Sequence, residues 1–229
     1  MITRERDGPL TTITLDRPQT RNALRRRDPR ALDEHLKESS TPVVYLTVVN
    51  GAFCSGADFD TIASLESTEA ARSFARLGQQ VATTIETIDA VVIAGIDGPA
   101  RGGGVELALA CDIRVATPQA SFAETGVTIG LFGAWGGTHR LPAVVGLGPA
   151  LDIALTGRVI GPDEARRIGL VTGVVDEPME LVRSVANNDA GALSALKQRM
   201  RDDAPIPRRE QAEARAFAEL ITRGPSLPD

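Results

Sequence analysis

The chain is poor in the residues from which metal centres and disulfide frameworks are built. Cysteine occurs twice among 229 residues, as Cys54 and Cys111, and histidine twice, as His35 and His139. Two isolated thiols do not form the cysteine pattern of a secreted disulfide scaffold, so a reducing cytoplasm is the expected setting. Together with two separated histidines they do not form a recognisable zinc or iron site, and no metal is expected. The Gly-x-Ser-x-Gly elbow of a Ser-His-Asp hydrolase is missing. No apolar run approaches membrane-spanning length, and Met1-Ile2-Thr3-Arg4-Glu5-Arg6-Asp7 lacks the apolar core of a signal peptide, so a soluble protein with no membrane partner is expected. A dense basic face is missing too. The 25 basic residues are dispersed apart from Arg25-Arg26-Arg27 and Arg208-Arg209, and the net charge is -5. No nucleic-acid partner is expected.

What remains is ample for a core. With 42% hydrophobic and 24% charged residues the chain reads as one globular domain with room for an appendage. Thr11 to Leu15 alternates as a strand does and stops at Asp16-Arg17-Pro18. A short helix is expected around Pro29 to Glu38, then an apolar strand over Val43 to Val49 that turns at Asn50-Gly51. Between Ile62 and Ile88 the residues Phe74, Leu77, Val81, Ile85 and Ile88 recur at helical spacing, which predicts one long amphipathic helix. A further strand spans Val91 to Ile96. Asn50-Gly51 and Gly56 recur 47 positions later as Asp97-Gly98 and Gly103, which fits similar strand, loop and helix units lying side by side. Pro149 to Thr156 before Gly157, and Pro162 to Ile168 before Gly169, have proline near the start and glycine past the end, the punctuation of short helices. Val171 to Val175 reads as a late strand, and Ala212, Phe217, Leu220 and Ile221 lie in a final amphipathic helix.

The segment richest in chemistry is Gly102-Gly103-Gly104-Val105-Glu106-Leu107-Ala108-Leu109-Ala110. A helix apolar on every side is buried. The single carboxylate of Glu106 is therefore taken out of water, which raises its pKa towards the range of a general acid or base. Three glycines ahead of it let a ligand approach the backbone at a helix N-terminus, where N–H groups are unpaired. The other reading of the segment is a tight strand-to-helix turn carrying a structurally paired glutamate. A dinucleotide-binding reading fails, because no third glycine follows at the required spacing.

Several motifs in order resemble the crotonase superfamily, the enoyl-CoA hydratase/isomerase group. They are Ile13-Thr14-Leu15-Asp16-Arg17-Pro18 with Arg21-Asn22-Ala23-Leu24, then Ala52-Phe53-Cys54-Ser55-Gly56-Ala57-Asp58, then Gly102 to Asp112, then Gly136-Gly137-Thr138-His139-Arg140-Leu141-Pro142, Leu155-Thr156-Gly157 and Ala165 to Val175. The resemblance implies an α/β fold, a spiral of repeated ββα units over residues 1–176. It also implies a C-terminal helical region over 177–229, shortened relative to the family, and assembly as a homotrimer or dimer of trimers. The ligand it implies is an acyl-CoA thioester, with no cofactor beyond the CoA of the substrate.

By motif position the backbone N–H groups of Cys54 and Gly103 are expected to bind the thioester oxygen. Ala23, Ala52, Phe53, Gly56, Ala57, Asp58, Gly102, Gly126 and Trp135 are expected around the substrate, with Asp58 holding its loop by local hydrogen bonds. Glu106 matches the first of two family glutamates. The second falls on Gly126, which has no side chain, and Glu124 two positions earlier is the one carboxylate available in its place. Arg101 stands where a small or aliphatic residue is commoner and faces either the CoA pocket or solvent. Three functions stand at this point: hydration of a trans-2-enoyl-CoA or its reverse, migration of the double bond, and acyl-CoA binding without chemistry. Hydrolysis or decarboxylation of the thioester is a smaller branch of the same scaffold.

Overall fold

The computed structural model describes residues 1–49 and 51–224. Among the described residues eight strands are formed: β1 (Ile2–Asp7), β2 (Leu10–Leu15), β3 (Val43–Val48), β4 (Val91–Ile96), β5 (Pro99–Arg101), β6 (Ile113–Ala116), β7 (Ser121–Ala123) and β8 (Gly173–Val174). Ten α-helices accompany them: α1 (Asp28–Lys37), α2 (Phe59–Ala63), α3 (Thr68–Thr87), α4 (Gly103–Ala110), α5 (Gly137–Val145), α6 (Leu147–Thr156), α7 (Pro162–Arg167), α8 (Pro178–Ala186), α9 (Ala190–Met200) and α10 (Ile206–Thr222).

The main sheet has the order β1-β2-β3-β4-β6-β8. Its first pair is antiparallel, and every later pair is parallel. Parallel neighbours need a crossover, and each crossover here carries the chain to the next strand position, so that successive units stack as a spiral. A second, two-stranded parallel sheet joins β5 to β7, and an isolated bridge from Cys54 to Ala100 extends the same line one unit back. Each unit thus contributes a long strand, a short extended piece and helix. The repeat seen in the glycines is realised in space: Gly98 packs so tightly on the preceding turn that a Cβ there would lie 2.2 Å from the carbonyl oxygen of Gly51.

The apolar strands are buried on both faces, as parallel strands are. Val44 and Leu46 of β3 with Val92, Ala94 and Ile96 of β4 face the main core. Their alternates Val43, Tyr45, Val91 and Ile93 form a second cluster capped by Val182 and Ala186 of α8.

Three expectations change. β1 is an added strand, exposed and charged, that pairs with β2 from Ile2 opposite Leu15 to Asp7 opposite Leu10. The long helix begins at Thr68, because the Ser67 side chain caps it by accepting the N–H of Ala70 at 3.1 Å, and Ile62 belongs to the separate α2. β8 is confined to Gly173–Val174. Asn50 of the expected turn lies outside the described residues, and Gly51 has φ of +81°.

Candidate active site

Glu106 sits in the first turn of α4 and is 1% exposed. One carboxylate oxygen, Oε1, accepts the backbone N–H groups of Trp135 at 2.8 Å and Gly137 at 2.7 Å. Burial pushes its pKa up, and the two N–H groups pull against that push without cancelling it. The result is a carboxyl fixed in one orientation, with its pKa above the ordinary carboxylate value.

The seat of this carboxyl depends on glycine. A Cβ at Gly133 would lie 2.7 Å from the Glu106 carboxyl carbon, and one at Gly137 would lie 2.9 Å from Oε1. Trp135, between them, is buried edge-on against Phe74 with ring centroids 5.6 Å apart. Its indole also lies on Gly78 of α3, where a Cβ would meet the ring at 2.0 Å. The Trp135 carbonyl accepts from Arg140 Nη1 at 3.1 Å. Arg140 in turn is held by Glu86 through bonds of 2.7 and 2.6 Å.

Arg201, just past α9, reaches the same Glu86 at 3.2 Å and Asp112 at 2.8 Å. Asp112 also faces the buried Lys197, which donates to the carbonyls of Ile85 and Ala90. A line of alternating charge thus runs from the C-terminal helices to the backbone that holds Glu106.

Glu106 opens onto a cavity of about 440 Å³ walled by the loop at Ser55 to Phe59, by Phe74, by Gly102 and Gly103, and by Thr125 to Trp135. Gly56, at φ +83°, brings two loops into backbone contact: a Cβ there would lie 2.9 Å from the Arg101 carbonyl and 3.0 Å from the Gly103 nitrogen. Ala57 and Gly103 both line the cavity. Among the described residues neither of their N–H groups is donated to a protein acceptor. Two such N–H groups on either side of one backbone contact are an arrangement able to hold an oxygen as it gains negative charge.

This corrects the expected donor at Cys54. Its N–H is donated to the Pro99 carbonyl at 3.3 Å within the short parallel bridge, and the residue is fully buried outside the cavity wall. Burial also pushes its thiol up to about 12. Ala57, three residues on, carries the unpaired N–H.

The enoyl-CoA hydratase/isomerase family model matches residues 5–223. The chain belongs to the enoyl-CoA hydratase/isomerase family. It is 39% identical over 186 residues to the crotonyl-CoA hydratase of Syntrophomonas wolfei, a match covering 79% of this chain and 71% of that one. With the short-chain-enoyl-CoA hydratase of Clostridium acetobutylicum it shares 37% identity over 185 residues, 79% of this chain and 70% of that one. The crystal structure of an enoyl-CoA hydratase from Thermoplasma volcanium superposes with a TM-score of 0.91 at 29% identity, covering 97% of this chain and 93% of that one.

Of the residues expected around the substrate in this member of the family, Gly56, Ala57, Gly102, Gly126 and Trp135 line the cavity. Ala23, Ala52, Phe53 and Asp58 do not, and each has a structural task nearby or in the core. The Ala23 carbonyl accepts from Arg17 at 3.0 Å, and the Ala52 carbonyl from Asn22 at 2.7 Å. Phe53 is fully buried in the core. Asp58 pairs with Arg17 at 2.6 Å and caps α2 by accepting the N–H of Asp60 at 3.1 Å. Arg101 faces neither the cavity nor open solvent: it is half-buried and donates to the carbonyl and hydroxyl of Ser121 at 2.8 and 3.0 Å.

The second acidic position is the departure from the two-glutamate pattern. Gly126 presents bare backbone to the cavity, and a Cβ there would lie 3.1 Å from Leu131 and Phe132 backbone atoms. Glu124 lines a separate, adjoining cavity and is absent from the wall that Glu106 faces. Its 8% exposure and the nearby charge of Glu106 push its pKa up to about 9. The residues that sequence reasoning missed are Gly78, Gly133 and Gly137, and the signal for the last two was the glycine-rich run Gly133-Ala134-Trp135-Gly136-Gly137.

Proposed function

We propose that the protein hydrates short trans-2-enoyl-CoA thioesters, with Glu106 as the acid/base and the N–H groups of Ala57 and Gly103 as the oxyanion donors. The observation that carries this reading is the oriented, buried Glu106 carboxyl facing a cavity that also presents two unpaired N–H groups. The hydratase activities named for the relatives at 37 and 39% identity support it.

In this reading the thioester oxygen lies between Ala57 and Gly103. Glu106 removes a proton from water, the hydroxide oxygen bonds to C3, and the C2–C3 π electrons move onto the thioester as an enolate. The same carboxyl, now protonated, returns a proton to C2. Each fixed donor at the oxygen lowers the barrier by about 3 kcal/mol, since negative charge is largest there in the transition state. The reaction needs no cofactor beyond the CoA of the substrate, because proton transfers and one C–O bond account for every atom.

Incubation with crotonyl-CoA and product analysis by mass test the assignment. The wild type adds one water, and Glu106→Gln binds the thioester while turnover falls at least about a thousandfold, the upper range for a proton-transfer group with some oxyanion catalysis left intact. Wild-type turnover in Glu106→Gln would remove this carboxyl from the mechanism. The bare backbone at Gly126 favours a second reading, double-bond migration, which needs one base that takes and returns a proton. A product with a shifted alkene and no added water identifies it.

The protein is further read as a homotrimer or dimer of trimers in the cytoplasm. Exposed Ile206, Phe217 and Ile221 on α10 support a subunit contact, and the two free buried thiols suit a reducing compartment. A mass by light scattering equal to one chain at micromolar concentration would refute the assembly.

A further inference from the structure

The cavity that Glu124 lines has a volume of about 230 Å³, several times the ~30 Å³ share of one liquid water. Its walls are mostly apolar, including Phe132, Leu141, Ala150 and Ala154, with Thr138 the one other polar side chain beside Glu124, and among the described residues no lysine or arginine borders it. Phe132 and Gly133 belong to both cavities. Gly137 also lines the smaller one while lying against the Glu106 carboxyl. The two cavities therefore adjoin on the side of Glu106 formed by Gly133 and Gly137. The Glu124 side chain on the wall of the smaller one is 8% exposed, and among the described residues its Oε1 has no hydrogen-bond partner. Buried polar groups in native proteins are hydrogen-bonded, so a carboxyl on a cavity wall without a protein partner calls for a hydrogen-bonding group in the cavity.

We infer that the smaller cavity is the subsite for the distal end of the acyl chain and that Glu124 hydrogen-bonds a hydroxyl group carried there, so that the preferred substrates are hydroxylated enoyl thioesters. The inference rests on the thioester reading above. Burial keeps Glu124 in its neutral form around pH 7, and a neutral carboxyl both donates and accepts, as a hydroxyl does. An anionic tail does not fit. It would enter an apolar space beside Glu106 with no cation to meet it.

The experiment compares kcat/KM for trans-2-hexenoyl-CoA and 6-hydroxy-trans-2-hexenoyl-CoA in the wild type, Glu124→Gln and Glu124→Leu, each checked for native folding by circular dichroism. The wild type is expected to favour the hydroxylated substrate at least about tenfold, because a site built to hydrogen-bond a hydroxyl rejects the analogue that lacks it. Glu124→Leu is expected to reverse or abolish that ratio. Glu124→Gln, whose amide also donates and accepts, retains most of it. A wild-type ratio near one overturns the inference. So does an equal fall of kcat for both substrates in both variants, which would make Glu124 a proton-transfer group instead. The saturated pair hexanoyl-CoA and 6-hydroxyhexanoyl-CoA, compared by binding alone, reads the same preference without turnover. Absence of hydration with preference for the hydroxylated ligand would overturn the hydratase reading and uphold the subsite.

Discussion

Gly78 lies in the middle of the 20-residue α3, where alanine is the better helix former by about 1 kcal/mol. Propensity alone therefore predicts that Gly78→Ala stabilises the protein. The packing predicts the reverse. A Cβ at Gly78 would lie 2.0 Å from Cγ and Cδ2 of Trp135, against the roughly 3.5–4.0 Å of a normal carbon contact. The indole must then move by about 1.5 Å, into a region already occupied by Phe74. Overpacking of this kind costs about 1–3 kcal/mol, so after the propensity gain of about 1 kcal/mol a net loss of up to about 2 kcal/mol is expected. For a chain of this size that lowers Tm by up to about 8 °C.

The larger effect falls on turnover. Trp135 carries one of the two N–H groups on Glu106, and misplacement of a catalytic group by about 1 Å costs on the order of a hundredfold. Trp135 is the single tryptophan of the chain, so its fluorescence reports directly on the displaced ring during thermal unfolding. Hydration of crotonyl-CoA measures kcat. If Gly78→Ala melted at or above the wild-type temperature with undiminished kcat, the coupling of α3 packing to the Glu106 seat would be refuted.

Gly133→Ala places a methyl 2.7 Å from the Glu106 carboxyl carbon, and kcat is expected to fall on the order of a hundredfold; an unchanged kcat would show that the seat tolerates the side chain. Glu124 binds a proton in the folded state up to about pH 9 but releases it near 4.5 when unfolded. Its contribution to stability is therefore fully present below pH 4.5 and is lost as pH rises towards 9, by at most about 1.4 kcal/mol per pH unit. Glu124→Gln should therefore gain stability relative to the wild type between pH 5 and 8.5, and parallel melting profiles would contradict this. Lys197→Met strips the buried ammonium from two carbonyls and Asp112, and a loss of about 3 kcal/mol is expected in urea unfolding. A wild-type midpoint would mean that Arg201 holds Asp112 unaided.

How much of the molecule is readable from its letters depends on what each element uses as its signal. β4 is a continuous apolar run, and its bounds follow from that run alone. The ends of α6 and α7 follow from Gly157 and Gly169, both at positive φ. β1 escapes because its residues carry charge and lie exposed at the sheet edge, so no apolar period marks it. The break between α2 and α3 escapes because no glycine or proline stands between Ile62 and Phe74, and the boundary is made by a serine hydroxyl acting locally.

In the site, Glu106 is legible as the one charge in an apolar helix. The glycines that seat it act through atoms they lack, and only contacts in space reveal that. The oxyanion donor is a matter of phase. Along one extended loop, the direction of each N–H depends on the local backbone, and the turn at Gly56 leaves the Ala57 N–H unpaired while the Cys54 N–H is consumed.

The line of charge from Lys197 and Arg201 through Asp112, Glu86 and Arg140 to Trp135 also bears on the order in which the molecule is made. Strands β1 to β7, the wall of the larger cavity and Glu106 all precede residue 140, yet two of the cations that neutralise Asp112 and Glu86 arrive with α9 and Arg201. On a translating ribosome the site is thus finished from behind. A chain stalled ahead of α9 holds every reacting group and leaves the acids beneath them without two of their three cations.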